Sequence, residues 1–324
     1  MAARDFRLST IGTKPRSPLT KTEVKTCEEG QGSSYHGVKG TIATLAESEQ
    51  AMPPPPRRGI TRPGRATPTG GFSIKVRFLG GLSTTQETVF SRAAERWQTL
   101  ISGDLPNAQL PSGEIVDDVL IDASGVRIDG PFGILGQAGP THLRANTLLP
   151  AKGIMEFDTA DLTRMEEDGS LEDVIIHEMG HVLGIGTIWQ DLGLLQGAGT
   201  ANPTFLGDNA QREFGLLAGA GGPLPVPVAN TGGPGTRDGH WRESVFGHEL
   251  MTGFINPGSN PISRVTVAAL KDLGYEVNLD AADEFTLPNS FEMALMGIGA
   301  LEHPQGCCMC GTRTRGVGRT VLPE

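Results

Sequence analysis

Apolar and polar residues alternate in FSIKVRFL, residues 72–79, so Phe72, Ile74, Val76 and Phe78 share one face and predict a half-buried strand. The period then changes. In STTQETVFSRAAERWQTLI, residues 83–101, Val89, Ala93, Trp97 and Leu100 recur at helical spacing behind a capping box of Ser83 and Gln86, with a helix end expected at Gly103. VDDVLIDASGVRI, residues 116–128, reads as two short strands or one bulged strand. On a strand Asp117 and Asp118 point to opposite faces, so they are not expected to converge on an ion. GILGQAGP at 133–140 and GIMEFD at 153–158 predict further strands. A second long helix is predicted over 171–184, with Ser170 as N-cap, Asp173 three residues on, and Val174, Ile175, Val182 and Leu183 toward a core. Gly184 ends it. Helices are also predicted near Asn209–Leu217 and over Ser263–Leu273, the latter stopped by Gly274 and followed by a strand.

These segments occupy residues 72–287, one α+β domain with polar flanks. Residues 1–71 contain PPPPRR and TRPGRATPTGG and cannot bury enough apolar surface to offset their ordering entropy, which predicts a disordered or linker tail. Residues 288–324 are read as a second, flexible tail carrying Cys307, Cys308 and Cys310. Cys27 is the fourth cysteine, so the domain between the tails can hold no internal disulfide. Cys307 and Cys310 have the spacing of half a zinc knuckle but lack two further ligands nearby.

Charge follows the same division. Residues 1–70 carry eleven Lys and Arg against six Asp and Glu, whereas residues 71–290 carry thirteen against twenty-eight. An acidic domain repels phosphates, which argues against a nucleic-acid partner. No run of eighteen apolar residues predicts a transmembrane segment, and the N-terminus has no recognisable signal peptide.

The predicted helix at 171–184 contains His177, Glu178 and His181 in the pattern H-E-x-x-H. Residues four apart lie on one helical face, so both imidazoles can reach one metal ion, with Glu178 beside its open position. Catalytic zinc takes three protein ligands and leaves the fourth place to water, so a third donor is needed. Glu213, in the predicted helix downstream, is one alternative.

The sequence offers another. H-E-x-x-H-x-x-G resembles the metzincin metalloproteases, but the position of their usual third histidine holds Thr187. After fifty-eight residues that follow His181 come His240 and Trp241, His240 being the fifty-ninth, and eleven positions after His240 comes Met251 within Glu249-Leu250-Met251. This order resembles the leishmanolysin family, in its compact, cysteine-poor bacterial form. The resemblance implies a metzincin fold: an N-terminal subdomain, 72–185, with a twisted sheet and two long helices, and a C-terminal subdomain, 186–287, with a long insertion and a Met-turn. It implies one catalytic Zn2+ held by His177, His181 and His240, with Met251 beneath it as a structural residue. It also implies a zinc-dependent metalloendopeptidase that hydrolyses peptide bonds with Glu178 as general base, acting on an extended polypeptide substrate. Gly133–Ala138 is the segment expected to pair with that substrate. Gly253 stands where some metzincins have a tyrosine. A secreted or cell-surface location is implied by the resemblance alone. The alternative from another class is a catalytically silent module that keeps the fold for adhesion or binding. Closing the 58-residue loop costs roughly 3–4 kcal/mol, well below the order of 10 kcal/mol that zinc binding returns.

Overall fold

The computed structural model describes residues 71–233, 235–289, 292–293 and 319–323. The chain divides into two units, Met1–Pro63 and Gly64–Glu324, and the described residues all belong to the second. The expectation of a disordered tail over residues 1–70, and all four cysteines, lie outside the described residues.

The first strand, β1 (Ile74–Phe78), leads into α1 (Thr84–Leu100), whose capping box forms as predicted between Ser83 and Gln86. Val89, Ala93, Trp97 and Leu100 are buried. The helix stops at Leu100, short of Gly103, because Ile101 turns extended and bridges Val277. That isolated bridge replaces the strand expected after residue 274. Next come a small ladder, β2 (Ala108–Gln109) with β3 (Ile115–Val116), and then β4 (Val119–Val126), β5 (Gly136–Arg144) and β6 (Pro150–Asp158). Residues 116–128 are thus two strands. Asp117 and Asp118 fall in the bend between them, so the opposite-face rule does not apply, and both carboxylates approach the Ser73 hydroxyl, at 3.4 and 2.9 Å.

The main sheet has the order β1-β4-β6-β5-β10, where β10 is Thr320–Leu322, and is mostly parallel, with β5 antiparallel to β6. A short α2 (Leu162–Asp168), which the sequence reading missed, precedes α3 (Leu171–Val182). Ser170 does not cap α3. Its hydroxyl donates instead to Asp168 at 2.6 Å, closing the α2–α3 corner. The described residues that follow hold β7 (Leu195–Gln196), β8 (Thr204–Phe205), α4 (Asp208–Leu217), β9 (Val226–Pro227), α5 (Glu243–Phe246) and α6 (Arg264–Leu273), with Gly274 capping α6 as predicted and Ser263, expected inside the helix, serving as its N-cap. The last element corrects the reading of residues 288–324 as wholly a tail: β10 (Thr320–Leu322) pairs in parallel with His142–Arg144 of β5.

Helices α1 and α3 pack together against one face of the sheet. Trp97, fully buried, donates its indole N–H to the Ile176 carbonyl at 3.0 Å, and Phe90 meets Phe157 edge to face at 5.3 Å. Burying such rings contributes about 1.5–3 kcal/mol each. The other sheet face covers a smaller cluster in which Leu120 and Ala151 meet Leu322 of β10. Strand β4 is therefore buried on both sides, as parallel central strands usually are. Among the described residues the result is a mixed α+β architecture with six α-helices, in which α3 packs beside β5. No helix among the described residues is long and apolar enough to cross a membrane.

Candidate metal centre

Ten of the twelve residues of α3 are buried, including His177, Glu178 and His181, each fully enclosed. His240 arrives from the loop before α5 and is equally buried. The three Nε2 atoms form a nearly equilateral triangle with sides of 3.0–3.1 Å. Each Nδ1 faces a backbone carbonyl: Leu250 for His177 at 2.7 Å, Ile185 for His181 at 2.9 Å, and Thr236 for His240 at 2.9 Å. A carbonyl can only accept, so each Nδ1 carries the proton and each neutral ring presents an Nε2 lone pair to the centre.

Burial keeps the rings neutral. It pushes His177 down to about 4 despite the opposing Leu250 carbonyl, and with the neighbouring His177 it pushes His240 down to about 3. Burial, then the two neighbouring rings, hold His181 well below the usual histidine range. Three converging lone pairs repel one another unless a cation sits among them. The triangle's centre is about 1.8 Å from each nitrogen, so an atom slightly off its plane reaches all three at ~2.0–2.1 Å, the usual zinc–nitrogen distance. The three histidines could hold a metal ion.

A glycine turn and one close backbone approach bring His240 to α3. Gly184, at φ +112°, ends the helix in a left-handed turn. Gly186, at φ +71°, then passes so near Gly239 that a Cβ on it would lie 1.9 Å from the Gly239 carbonyl oxygen. Beyond His240 the chain is tied to the 249–251 segment. The Trp241 N–H donates to the Met251 carbonyl at 2.9 Å. Met251 is fully buried, and its Sδ would be 2.9 Å from a Cβ on Gly180, which places its side chain under α3 between His177 and His181 in sequence. Glu249 fixes this segment. Its Oε2 accepts the Met251 N–H at 2.6 Å, while its Oε1 accepts the Ser263 N–H at 3.0 Å, the Ser263 hydroxyl at 2.8 Å and the Thr266 hydroxyl. Thr266 in turn accepts the Trp241 indole N–H at 2.7 Å. In the sequence Glu249 stands only within the Glu249-Leu250-Met251 motif, and no local pattern links it to Ser263, the N-cap of α6.

Glu178 lies against the start of β5, where a Cβ on Gly136 would be 3.1 Å from its Cγ. The segment expected at Gly133–Ala138 becomes strand only from Gly136. Among the described residues the outer edge of β5 is paired by β10 at His142–Arg144 alone, leaving Gly136–Thr141 open. Other candidates are not brought to the centre. Glu213 pairs with Arg264 at 2.9 Å, and His248 packs edgewise on Phe285 at 5.5 Å. Thr187 donates to the His181 carbonyl at 2.8 Å, and the Tyr275 phenol to the Leu183 carbonyl at 3.0 Å. Asp104, Asp117 and Asp118 do converge, contrary to expectation, but Asp118 is engaged by the backbone N–H groups of Ser73 and Leu105, at 2.7 and 2.6 Å. Arg319, just before β10, donates to the Thr187 carbonyl at 3.0 Å and pairs with Asp191.

No known protein-family model matches the chain, and no curated protein matches it at a significant level.

Proposed function

We propose that this chain is a zinc-dependent metalloendopeptidase of leishmanolysin type, built on a metzincin fold. One observation carries the reading: three buried imidazoles, each with its tautomer fixed by a carbonyl, converge their acceptor nitrogens within 3.0–3.1 Å, with Glu178 on the same helix. A neutral three-histidine set without thiolates suits a zinc ion that keeps one position for solvent, and the carbonyl partners are the outer contacts such ligands need. His177, His181 and His240 would hold the zinc, which when bound would supply Lewis-acid chemistry, lowering the pKa of water toward 7 and polarising the scissile carbonyl.

The chain does the remainder. Glu178, one residue on from His177, takes the proton of the attacking water and passes it to the leaving amine nitrogen. The open edge at Gly136–Thr141 offers backbone donors and acceptors to an extended polypeptide, which aligns the scissile bond without demanding particular side chains. Gly136 leaves the space between that edge and Glu178 clear of a side chain. An antiparallel strand beside the ligand helix, a glycine turn after His181 and Met251 under α3 together support the metzincin plan.

The test is metal analysis of the purified full chain, with hydrolysis of an unfolded protein measured before and after a chelator and again after zinc is restored. Glu178→Gln is expected to keep one equivalent of zinc and lose at least ~100-fold in rate, the usual contribution of a general base. Loss of zinc in that variant would show Glu178 to be a ligand. A zinc-loaded wild type that cleaves nothing would leave the silent binding module as the better reading.

A further inference from the structure

Helix α3 and strand β5 run in the same direction. Glu178 lies against Gly136, the first residue of β5, and one turn later Val182 lies against Gly153, which pairs with Pro140 further along β5. Glu178 therefore stands at the start of the open edge Gly136–Thr141. At the far end of that edge β10 takes over, with Thr320 opposite His142.

Two anchors hold β10 there. Arg319, the residue before it, reaches from the edge strand to the turn after α3, where its guanidinium donates to the Thr187 carbonyl at 3.0 Å and pairs with Asp191. Thr187 is itself fixed, since its hydroxyl donates to the His181 carbonyl at 2.8 Å. At the other end of β10, Leu322 is buried with Leu120 and Ala151 on the far face of the sheet. Between these anchors Thr320–Leu322 occupy the edge of His142–Arg144 that a peptide continuing past Thr141 would need, and a strand edge pairs with one partner strand at a time. At ~3.3 Å per residue the open edge is about 20 Å long, so a peptide laid along it from Glu178 meets Arg319 after about five residues.

We propose that Arg319 and β10 form an end wall of the peptide cleft, which admits about five extended residues on one side of the scissile bond and turns a longer chain away from β5. The inference rests on the peptidase reading and sets the length of substrate that site recognises: a peptide gains from residues up to the wall and from none beyond it.

The test uses the zinc-loaded full chain and two series of peptides built around one scissile bond, lengthened residue by residue on its N-terminal or its C-terminal side. In the wild type one series is expected to gain in kcat/KM up to about five residues and then to stay level. Arg319→Glu combined with Leu322→Asp removes both anchors, setting a second carboxylate against Asp191 and a charge against Leu120 and Ala151. In that variant the plateau is expected to move out by about three residues, as the edge at His142–Arg144 becomes free. A folded variant with an unchanged plateau, or a wild type with no plateau at about that length in either series, would overturn the wall. Amide hydrogen exchange decides the matter where the double variant does not fold. It is measured on the zinc-loaded Glu178→Gln chain with and without a peptide longer than the open edge. Slower exchange is expected within residues 136–141, with 142–144 and 320–322 unchanged. Faster exchange at 320–322 would mean that the peptide displaces β10, and no slowing within 136–141 would mean that it does not lie on this edge; either result sinks the proposal. If the wild type hydrolyses nothing, the peptidase reading fails, while protection that stops at Thr141 still supports the wall.

Discussion

The backbone N–H of Trp241 donates to the carbonyl of Met251 at 2.9 Å, so the residue after the third histidine and the buried methionine are rungs of one ladder. The eleven residues from Trp241 to Met251 therefore fold into a loop closed at its base. The Trp241 ring continues the connection through the Thr266 hydroxyl to Glu249, whose other oxygen returns to the Met251 N–H. Within that closed polar circuit, the carbonyl of Leu250 is aimed at His177. The circuit thus reaches the centre through one contact, the Leu250 carbonyl on His177 Nδ1.

Glu249 is the hub of that circuit, and its loss should be felt twice. Glu249→Ala leaves four donors, the N–H groups of Met251 and Ser263 and the hydroxyls of Ser263 and Thr266, without their buried acceptor. Breaking a buried hydrogen-bonded charge costs about 3–5 kcal/mol. Urea unfolding should show a loss of that size, and metal titration should show weaker binding, because the Leu250 carbonyl no longer holds His177. A loss below about 1 kcal/mol would mean the circuit contributes little.

What the sequence reveals here divides by distance along the chain. The pair His177 and His181, the capping box at Ser83 and the Gly274 cap of α6 depend on neighbours within one helical turn and are legible in the sequence. Contacts made by tertiary pairing were not. Three residues, Thr320–Leu322, carry no strand signal alone and become β10 only by lying along His142–Arg144. Asp117 and Asp118 were read by strand rules, yet their positions are set by the bend before β4 and by Ser73, more than forty residues away. The Ser170 cap failed because Asp168, at the end of an unforeseen α2, competes for the hydroxyl. His240 came through resemblance in order and interval, since no local rule links it to α3.

Glu243 gives the fold a specific pH dependence. Burial pushes its carboxyl up to about 7, partly offset by the Thr252 hydroxyl and the Asn256 amide. Between the ordinary carboxylate value, about 4.5, and 7, the folded chain holds a proton that the unfolded chain has released. Stability from this group is therefore present below about 4.5 and declines as pH rises through 7. Glu243→Gln removes the titration, so its melting temperature relative to wild type should climb from pH 5 to pH 8. A constant difference across that range would show that the carboxyl titrates alike in both states.

His240 and His248 both stand near the methionine turn, and only one is turned to the centre. His240→Ala should lose most of its metal after dialysis, because one of three converging nitrogens is gone. His248→Ala removes an edgewise contact with Phe285 and should retain the metal. Zinc content of the two dialysed variants decides the matter; the reverse pattern would break the ligand assignment and its register.

Gly186 provides the most selective test of how His240 is positioned. At φ +71° any larger residue is strained by about 1–2 kcal/mol, and a Cβ here would also lie 1.9 Å from the carbonyl oxygen of Gly239. Backbone cannot yield as a flexible side chain does, so Gly186→Ala must separate the turn after α3 from the segment that carries His240. Gly193 is the matched control. Its φ is +68°, yet nothing lies within 4 Å of a Cβ built on it, so Gly193→Ala introduces the same strain without the collision. Both variants should lose similar backbone stability, but only Gly186→Ala should also bind metal at least about tenfold more weakly, because displaced ligand geometry is paid for in affinity. Circular dichroism should show the helices retained in both. Equal metal affinity in the two variants would mean that His240 is placed by the Trp241–Met251 ladder alone, and that the approach of Gly186 to Gly239 is incidental to the centre.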